Sequence, residues 1–280
     1  MQTKLNTRKI QAVVLRLLVK AASVVTMAVL LFIVIYILIK GIPNLSPGLF
    51  SLKYTTDNQS ILPSLLHTLE LTLMSLLLAV PLGIFSAVFL NEYARKGSKM
   101  VSLVGITSET LTGIPSIVYG LFGLLFFVEF CHLRKTLISG ALTIAIMILP
   151  TILRTTQEAL MAVPDTYREA SYGLGAGKLR TVFRVILPSA MPGILSGIIL
   201  AIGRIVGESA ALIYTAGTIT DKYAAPMDSG RTLSVHMYLL SNEGLYTDQA
   251  YATAVVLLVL VLLLNFGSKV VANRITKERN

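Results

Sequence analysis

The chain has 280 residues, of which 54 % are hydrophobic and only 14 % are charged. This balance excludes an ordinary soluble domain, in which about a quarter of the residues carry a charge. The formal net charge of +10 would suit a nucleic-acid-binding protein, but the positions of the basic residues explain it differently. Cys131 is the only cysteine and the three histidines are scattered, so we expect neither a disulfide framework nor a metal site.

Six segments without charged residues divide the chain. Each has roughly the 20 residues that a helix needs to cross a bilayer. We therefore predict an all-α membrane protein with one transmembrane permease domain over residues 1–280. Its six spans are expected at about 20–40, 64–91, 101–128, 136–156, 188–216 and 248–270.

The basic residues alternate with the predicted spans. Most of the 24 Lys and Arg residues lie before span 1, between spans 2 and 3, between spans 4 and 5, or after span 6. By the positive-inside rule, these segments and both termini are expected in the cytoplasm. The net charge then reflects topology, and no nucleic-acid partner is expected. The basic leader before span 1 lacks a small-residue cleavage site, which favours a retained signal-anchor.

Two ionisable residues interrupt the apolar sequence of span 5. Arg204 and Glu208 are four residues apart, which would place them on one face of a continuous helix. Ionised groups are costly in hydrocarbon, so the pair predicts a hydrophilic translocation path. In this interpretation Arg204 binds an oxyanion, and Glu208 neutralises the charge of Arg204 when the path holds no anion. A structural ion pair that fixes the helix register is the alternative. Further hydroxyl donors to the path are predicted at Thr112, Ser116 and Ser209.

The predicted cytoplasmic loop 157–187, between spans 4 and 5, contains two short amphipathic helices. Pro164 and Asp165 favour the start of the first helix, and three glycines, at 173, 175 and 177, interrupt it. The second helix is expected to end at Pro188, before span 5. Such an element suits docking into a groove on a soluble partner, although it would also suit contact with lipid headgroups.

One spacing within this loop resembles a known family. Glu169-Ala170-Ser171, three residues, Gly175, nine residues and Val185-x-Leu187-Pro188 are similar to the EAA loop of inner-membrane subunits of ATP-binding-cassette importers. Two mild departures are Ser171 for alanine and Val185 for isoleucine. The resemblance implies that the loop is a coupling helix seated in a cleft of an ATPase subunit. Its contact and turn positions would be Glu169, Ala170, Ser171 and Gly175, and Leu187 and Pro188 would lead into the next span.

Two further segments narrow the resemblance. The sequences 111–120 and 203–209 are similar to those of phosphate-specific permeases of that superfamily, and the whole chain resembles their PstA type. The resemblance implies a location in the bacterial inner membrane and an import function for inorganic phosphate. It also implies four kinds of partner: a second homologous permease subunit, two ATPase subunits, an external phosphate-binding protein and the lipid bilayer.

The chain has no nucleotide-binding motif of its own. The glycine-rich sequence 173–178 differs in spacing from a phosphate-binding loop, and no Ser or Thr follows its lysine. We therefore expect a non-catalytic subunit without a directly bound cofactor, with ATP and Mg²⁺ on the partner subunit. A permease for sulfate or molybdate, and a stand-alone proton-coupled anion carrier, remain alternatives.

Overall fold

The computed structural model of the chain describes residues 2–95, 97–219 and 225–277. Over these residues it contains eleven α-helices and no β-strand. The helices are α1 (Gln2–Gly41), α2 (Leu62–Val88), α3 (Lys99–Thr112), α4 (Ser116–Gly123), α5 (Leu137–Met161), α6 (Asp165–Gly173), α7 (Lys178–Thr181), α8 (Leu187–Val206), α9 (Ala210–Thr215), α10 (Leu233–Glu243) and α11 (Thr247–Lys277). Short 3₁₀ turns follow α1, and π-helical turns occupy Phe89–Tyr93, Leu124–Phe130 and Val182–Ile186.

The predicted all-α membrane fold with six spans is confirmed. Five apolar segments are long enough to cross a bilayer: Ala12–Asn44, Leu62–Tyr93, Leu137–Met161, Lys178–Val206 and Thr247–Val270. The sixth span consists of two helical segments, Lys99–Thr112 and Ser116–Phe130, which meet at an angle of 102°. The predicted helix between spans 4 and 5 is α6.

Span 3 is broken, whereas the sequence analysis predicted a continuous helix over 101–128. Helix α3 ends at Thr112, and α4 begins at Ser116. Pro115 explains the break, because proline has no amide hydrogen and disfavours helical geometry at the residue before it. Thr112 and Ser116, both predicted to contribute to the path, therefore lie on two helices that point in different directions.

Span 5 also differs from its predicted bounds. It runs as one helix from Lys178 through the π-helical turn into α8, so the second half of the predicted loop belongs to this span. Pro188 does not end the helix, because it directly follows the π-helical turn Val182–Ile186, where the regular α-helical hydrogen bonding is already interrupted. The span instead ends early, at Val206, and α9 forms a separate short helix.

Helix α5 lies at the centre of the bundle. It contacts α2, α3, α4, α8 and α9, and it is the most deeply buried of the candidate spans. Glycines permit its closest approaches to α8: a Cβ atom on Gly193 would lie 2.6 Å from Cβ of Ala159, and one on Gly197 would overlap the side chain of Thr155. The small residues of α8 therefore mark the surface on which this helix packs closely against α5.

The antiparallel course of the spans gives the bundle two ends. One, here called the α6 end, carries α6, α7 and the turn Phe89–Tyr93. The other, here called the α10 end, carries the segment between α1 and α2 together with α10. Helix α11 packs on α8, α10 and α1, and α1 exposes most of its apolar side chains.

Replacing Gly197 with alanine is expected to destabilise the protein by about 1–3 kcal/mol, because the new methyl group overlaps Thr155. The matched variant is Gly203→Ala in the same helix, where a Cβ atom meets nothing within 4 Å. That variant should keep or raise the unfolding temperature, since alanine favours helix. Thermal unfolding in detergent measures both, and equal midpoints would contradict the close packing of α8 on α5.

Candidate functional site

The candidate site lies where the two broken spans meet. The first break separates α3 from α4 and the second separates α8 from α9, and α4 packs directly on α9. A Cβ atom on Gly120 would lie 2.8 Å from Cα of Ala211, so the two backbones are in contact. Across the first break, the Tyr119 hydroxyl donates a hydrogen bond of 2.7 Å to the carbonyl oxygen of Leu111. Both breaks are thus held in fixed positions by packing and hydrogen bonding.

Glu208 caps the second break. Its side chain is only 9 % exposed, and its Oε1 accepts a hydrogen bond of 3.1 Å from the backbone N–H of Ala211 in α9. Its backbone carbonyl accepts a hydrogen bond from the Ser234 hydroxyl of α10. A carboxylate at this position satisfies an N–H group that the helix start would otherwise leave unpaired. The structure therefore gives Glu208 a role in fixing the position of α9.

Arg204 is half-buried in the last turn of α8. Its Nη1 lies 3.5 Å from the Thr151 hydroxyl of α5. The predicted helical pairing with Glu208 is wrong, because α8 ends at Val206 and Glu208 lies beyond the helix. Among the described residues, no Arg204–Glu208 ion pair occurs within 4.0 Å. The guanidinium therefore keeps donors that are not used by a carboxylate among the described residues.

The three predicted hydroxyl residues flank the two breaks. Ser209 is half-buried at the N-cap position of α9, and Ser116 is half-buried in the first turn of α4. Thr112 is exposed at the end of α3, and its hydroxyl donates 2.8 Å to the carbonyl oxygen of Ser108. Because a hydroxyl has one hydrogen to donate, Thr112 does not donate to an anion in this conformation.

A further arginine on α5 lies three residues beyond Thr151. Arg154 is exposed and pairs with Glu109 of α3 at 3.1 Å and with Glu158 at 2.7 Å. The sequence analysis did not single it out, because it was counted with the basic residues between spans 4 and 5, although it falls within the predicted span 136–156. Its signal was helical spacing, since Thr151, Arg154 and Glu158 fall on one face of α5.

The coupling residues inferred from the EAA resemblance lie at the α6 end. Glu169 and Ala170 are exposed on α6, whereas Ser171 is buried and its hydroxyl lies 2.9 Å from that of Thr181. Gly175 has φ +79°, a left-handed conformation that glycine adopts without strain. The loop therefore folds back on itself with the first two positions facing outward. Leu187 and Pro188, half-buried, form the first turn of α8.

A bidentate ion pair that the sequence analysis missed attaches α6 to span 2. Arg168 Nη2 lies 2.6 Å from Glu92 Oε1, and Arg168 Nε lies 3.3 Å from Oε2. The side chains are only 16 % and 6 % exposed, and Arg168 also donates to the carbonyl oxygens of Leu160 and Val163. The hydrogen bond to Glu92 raises the pKa of Arg168. The partners are 76 residues apart in sequence, so no local pattern pointed to the pair.

Beside this ion pair, α6 and α7 enclose an open groove. Its volume is about 550 Å³, and its lining includes Thr166, Tyr167, Ala170, Leu174, Arg180 and Val185. Leu174 is 90 % exposed, and Tyr172 and Leu179 also expose large apolar surface. Lys178 Nζ lies 5.0 Å from the ring centre of Tyr93. This cation–π contact attaches α7 to the end of span 2, in addition to the ion pair that attaches α6 there.

A double-mutant cycle tests the attachment of α6. Arg168→Ala and Glu92→Ala, alone and together, should give a coupling energy of about 1–3 kcal/mol, because the pair is bidentate and largely buried. Arg154→Ala with Glu158→Ala is the matched control, since that pair is exposed and is expected to show no measurable coupling. Chemical unfolding in detergent provides the measurement. A coupling no larger than that of the control would contradict a structural role for Arg168.

Comparison with solved structures identifies the fold as one seen in ABC transporters. An alginate transporter structure, a bacterial ABC transporter in complex with its periplasmic protein, aligns with a TM-score of 0.63 and 18 % identity, over 90 % of this chain and 95 % of that chain. The MetNI methionine ABC transporter in an inward-facing conformation aligns with a TM-score of 0.59 and 19 % identity, over 77 % of this chain and 94 % of that chain. At these identities the likeness concerns the fold alone.

Sequence relatives are closer. The probable ABC transporter permease protein YqgI of Bacillus subtilis is 34 % identical over 90 % of this chain and 91 % of its own length. The phosphate transport system permease protein PstA of Pasteurella multocida is 31 % identical over 86 % of this chain and 87 % of its own length. PstA 1 of Mycobacterium tuberculosis is 34 % identical over 72 % of this chain and 67 % of its own length.

The family comparison agrees with the geometry of the six spans, the helix α6 and the groove beside it. Residues 79–277 match the model of the binding-protein-dependent transport system inner membrane component. This range contains both helix breaks and the whole coupling region. The chain therefore belongs to the binding-protein-dependent transport system inner membrane components, the permease subunits of ABC transporters.

Proposed function

We propose that the chain is one permease subunit of an ATP-driven importer for inorganic phosphate in a bacterial inner membrane. It forms half of the translocation path and pairs with a second, homologous permease subunit. Two ATPase subunits bind at the α6 end, and an external phosphate-binding protein docks at the opposite end. The similarity to PstA proteins over most of the chain supports the substrate. The segregation of Lys and Arg supports an orientation with both termini in the cytoplasm.

Arg204 is the observation on which the substrate class depends. A half-buried guanidinium without a carboxylate partner among the described residues offers fixed positive charge and planar donors to an oxyanion. It lies in the last turn before a helix break, where Ser209 adds a hydroxyl group to the same region. Transporters commonly place substrate sites at such interrupted helices, because irregular backbone at membrane depth is tolerated where it lines a cavity.

In this proposal Glu208 has a positioning role beside Arg204. It holds the start of α9 through Ala211, and this fixes the second break next to Arg204. A carboxylate near the path also opposes tight anion binding, and weak binding favours release. Ser116 is the first residue of α4, directly after the first break, and extends the proposed path.

The coupling step follows from the continuity of span 5. ATP-driven closure of the ATPase subunits moves α6 through contacts at Glu169, Ala170 and the neighbouring groove. Ser171 is bonded to Thr181 of α7, and the helix runs unbroken from Lys178 to Val206. A displacement of α6 is therefore transmitted to Arg204 without passing through a flexible loop. This corresponds to alternating access by rigid-body movement.

ATP hydrolysis is assigned to the partner. The glycine-rich sequence 173–178 forms the turn between α6 and α7, so it follows a helix instead of the strand that precedes a phosphate-binding loop. The chain is therefore proposed to be non-catalytic, with ATP and Mg²⁺ bound by the ATPase subunits. Family membership disfavours the alternative of a stand-alone proton-coupled carrier.

A permease for another oxyanion remains the second candidate. The name of YqgI specifies no substrate, and sulfate and molybdate share the tetrahedral shape that an arginine fork recognises. Uptake of radiolabelled phosphate in competition with sulfate and molybdate distinguishes them. Competition by unlabelled phosphate alone supports the proposal, whereas stronger competition by sulfate or molybdate would assign the permease to that anion.

Arg204→Ala should lower phosphate uptake at least about tenfold, because a charge-assisted hydrogen bond to the oxyanion is lost. Arg204→Lys keeps the charge without the planar fork and should show an intermediate defect. Uptake into cells or proteoliposomes that contain the whole transporter provides the measurement, with co-purification of the ATPase subunit as the control for assembly. Wild-type uptake by the alanine variant would remove Arg204 from the path.

Glu169→Ala should abolish the stimulation of ATP hydrolysis by the loaded binding protein while leaving membrane insertion unchanged. The reason is that Glu169 is exposed on α6 and its side chain makes no hydrogen bond or ion pair with another described residue that its loss would disturb. Glu243→Ala is the matched control, since this exposed carboxylate ends α10 at the opposite end. Unaltered stimulation in the Glu169 variant would contradict its assignment to the ATPase contact.

A further inference from the structure

A second group of buried polar side chains lies at the α10 end, away from Arg204. Arg231 is only 6 % exposed and His236 is fully buried. The guanidinium carbon of Arg231 lies 5.1 Å from the ring centre of Tyr54, and the Tyr54 ring meets His236 edge-on at 6.2 Å. The Tyr54 hydroxyl donates 2.7 Å to Gln59 Oε1, which holds the tyrosine in place. The proposed translocation path does not use any of these residues.

Four hydrogen-bonding atoms of this cluster lack a partner among the described residues. They are Nε and Nη2 of Arg231 and the two ring nitrogens of His236, none of which has a partner within 3.5 Å. Among the described residues, Arg231 also makes no ion pair. Buried polar groups are nearly always bonded, and a buried guanidinium stays charged. An arrangement of this kind is typical of a binding site, since a purely structural residue would have its donors satisfied within the protein.

The geometry of the unpartnered atoms is specific. Nε and Nη2 lie on the same edge of the guanidinium, and their two N–H groups point in parallel, as required for a bidentate bond to two oxygens of one anion. The face of the guanidinium is already occupied by Tyr54. The cation–π contact with Tyr54 stabilises the charge of Arg231 but does not satisfy the N–H groups of Nε and Nη2.

His236 adds a neutral donor that contacts Tyr54 and lies close enough to Arg231 to feel its charge. Burial, and then the charge of Arg231, lower the pKa of His236 to about 3, while the Gln59 backbone acts in the opposite direction. At neutral pH the ring is therefore uncharged and carries one N–H. One cation and one neutral donor suit a small anion better than a second cation or an apolar ligand.

The cluster is attached directly to the second helix break. Leu233, two residues after Arg231, donates its N–H to Thr68 of α2 at 2.8 Å. Ser234 donates to the carbonyl oxygen of Glu208. The Arg231 carbonyl oxygen lies 3.3 Å from His67 Nδ1. Movement of the break and movement of Arg231 are therefore linked through the first turn of α10.

We propose that the Nε–Nη2 edge of Arg231, with His236, forms a second binding site for a small free oxyanion of the phosphate class. In the proposed orientation the site is on the outer side, ahead of Arg204, and in this respect it rests on the proposed function. An anion is received there after release from the external protein and passes towards Arg204 when the break moves. Two sites of moderate affinity in series favour both entry and release. Burial of Arg231 disfavours a side chain of a partner protein as the occupant.

Binding of radiolabelled inorganic phosphate to the purified whole transporter tests the proposal. The external binding protein is omitted, and equilibrium dialysis is performed with the Arg204→Ala variant, so that Arg204 does not contribute. We expect saturable binding that sulfate reduces and chloride at equal ionic strength does not. Adding Arg231→Lys, which keeps the charge and removes the fork, should weaken this binding at least tenfold, to about the level set by charge alone.

Two further variants separate binding from folding. Tyr238→Phe, on the exposed side of α10, keeps the ring and removes a hydroxyl that lies outside the cluster, so phosphate binding should be unchanged. His236→Phe keeps an aromatic ring and should weaken binding even if Arg231→Lys fails to assemble. Retained binding in an assembled Arg231→Lys protein, or in the His236→Phe protein, would overturn the proposal. An absence of saturable phosphate binding to the Arg204→Ala protein would also overturn it. The same holds if Arg231→Lys lowers the unfolding temperature but leaves phosphate binding unchanged.

These outcomes are distinct from failure of the proposed function. If the wild-type transporter takes up sulfate in preference to phosphate, the substrate assignment falls, and the same dialysis with radiolabelled sulfate still decides the role of Arg231. If phosphate uptake is confirmed and phosphate binding does not depend on Arg231 or His236, only the second site falls.

Discussion

Interrupting a helix at membrane depth exposes backbone N–H and C=O groups that water cannot reach, and this constraint governs the whole arrangement. The chain meets it locally: Glu208 accepts from Ala211, Tyr119 donates to Leu111, and Gly120 brings α4 into contact with α9. Each break is thereby made rigid. Arg204 owes its position to this rigidity, because it lies in the last turn before the second break.

The same logic connects the two ends of the bundle. At the α6 end, Arg168 and Glu92 fix the coupling helix to span 2, and Ser171 joins it to the start of span 5. At the α10 end, Ser234 joins α10 to Glu208. The second break is thus connected to both ends of the bundle, through span 5 and through α10. The proposed coupling between events at the two ends therefore has a continuous structural basis, built from helices and buried hydrogen bonds.

The sequence predicted the features that depend on local composition and failed on those that depend on distant contacts. Charge-free segments located the six spans, and the spacing from Glu169 to Pro188 indicated the coupling helix. Pro115 indicates the first break, but the apolar character of residues 101–128 suggested one continuous helix. The break after Val206 has no proline, and four-residue spacing suggested an uninterrupted helix. Partners such as Arg168 with Glu92, or Arg231 with Tyr54, lie far apart in the chain and became visible only in three dimensions.

The π-helical turn Val182–Ile186 has a geometric consequence for this family member. Such a turn is equivalent to one residue inserted into an α-helix, and one residue corresponds to a rotation of about 100°. The turn therefore sets the angle, around the helix axis, between Arg180 of α7 and Arg204 at the far end of the same helical span. Arg180 lines the groove between α6 and α7. A homologue without this extra residue would point its arginine towards a different neighbour, even with every other contact preserved.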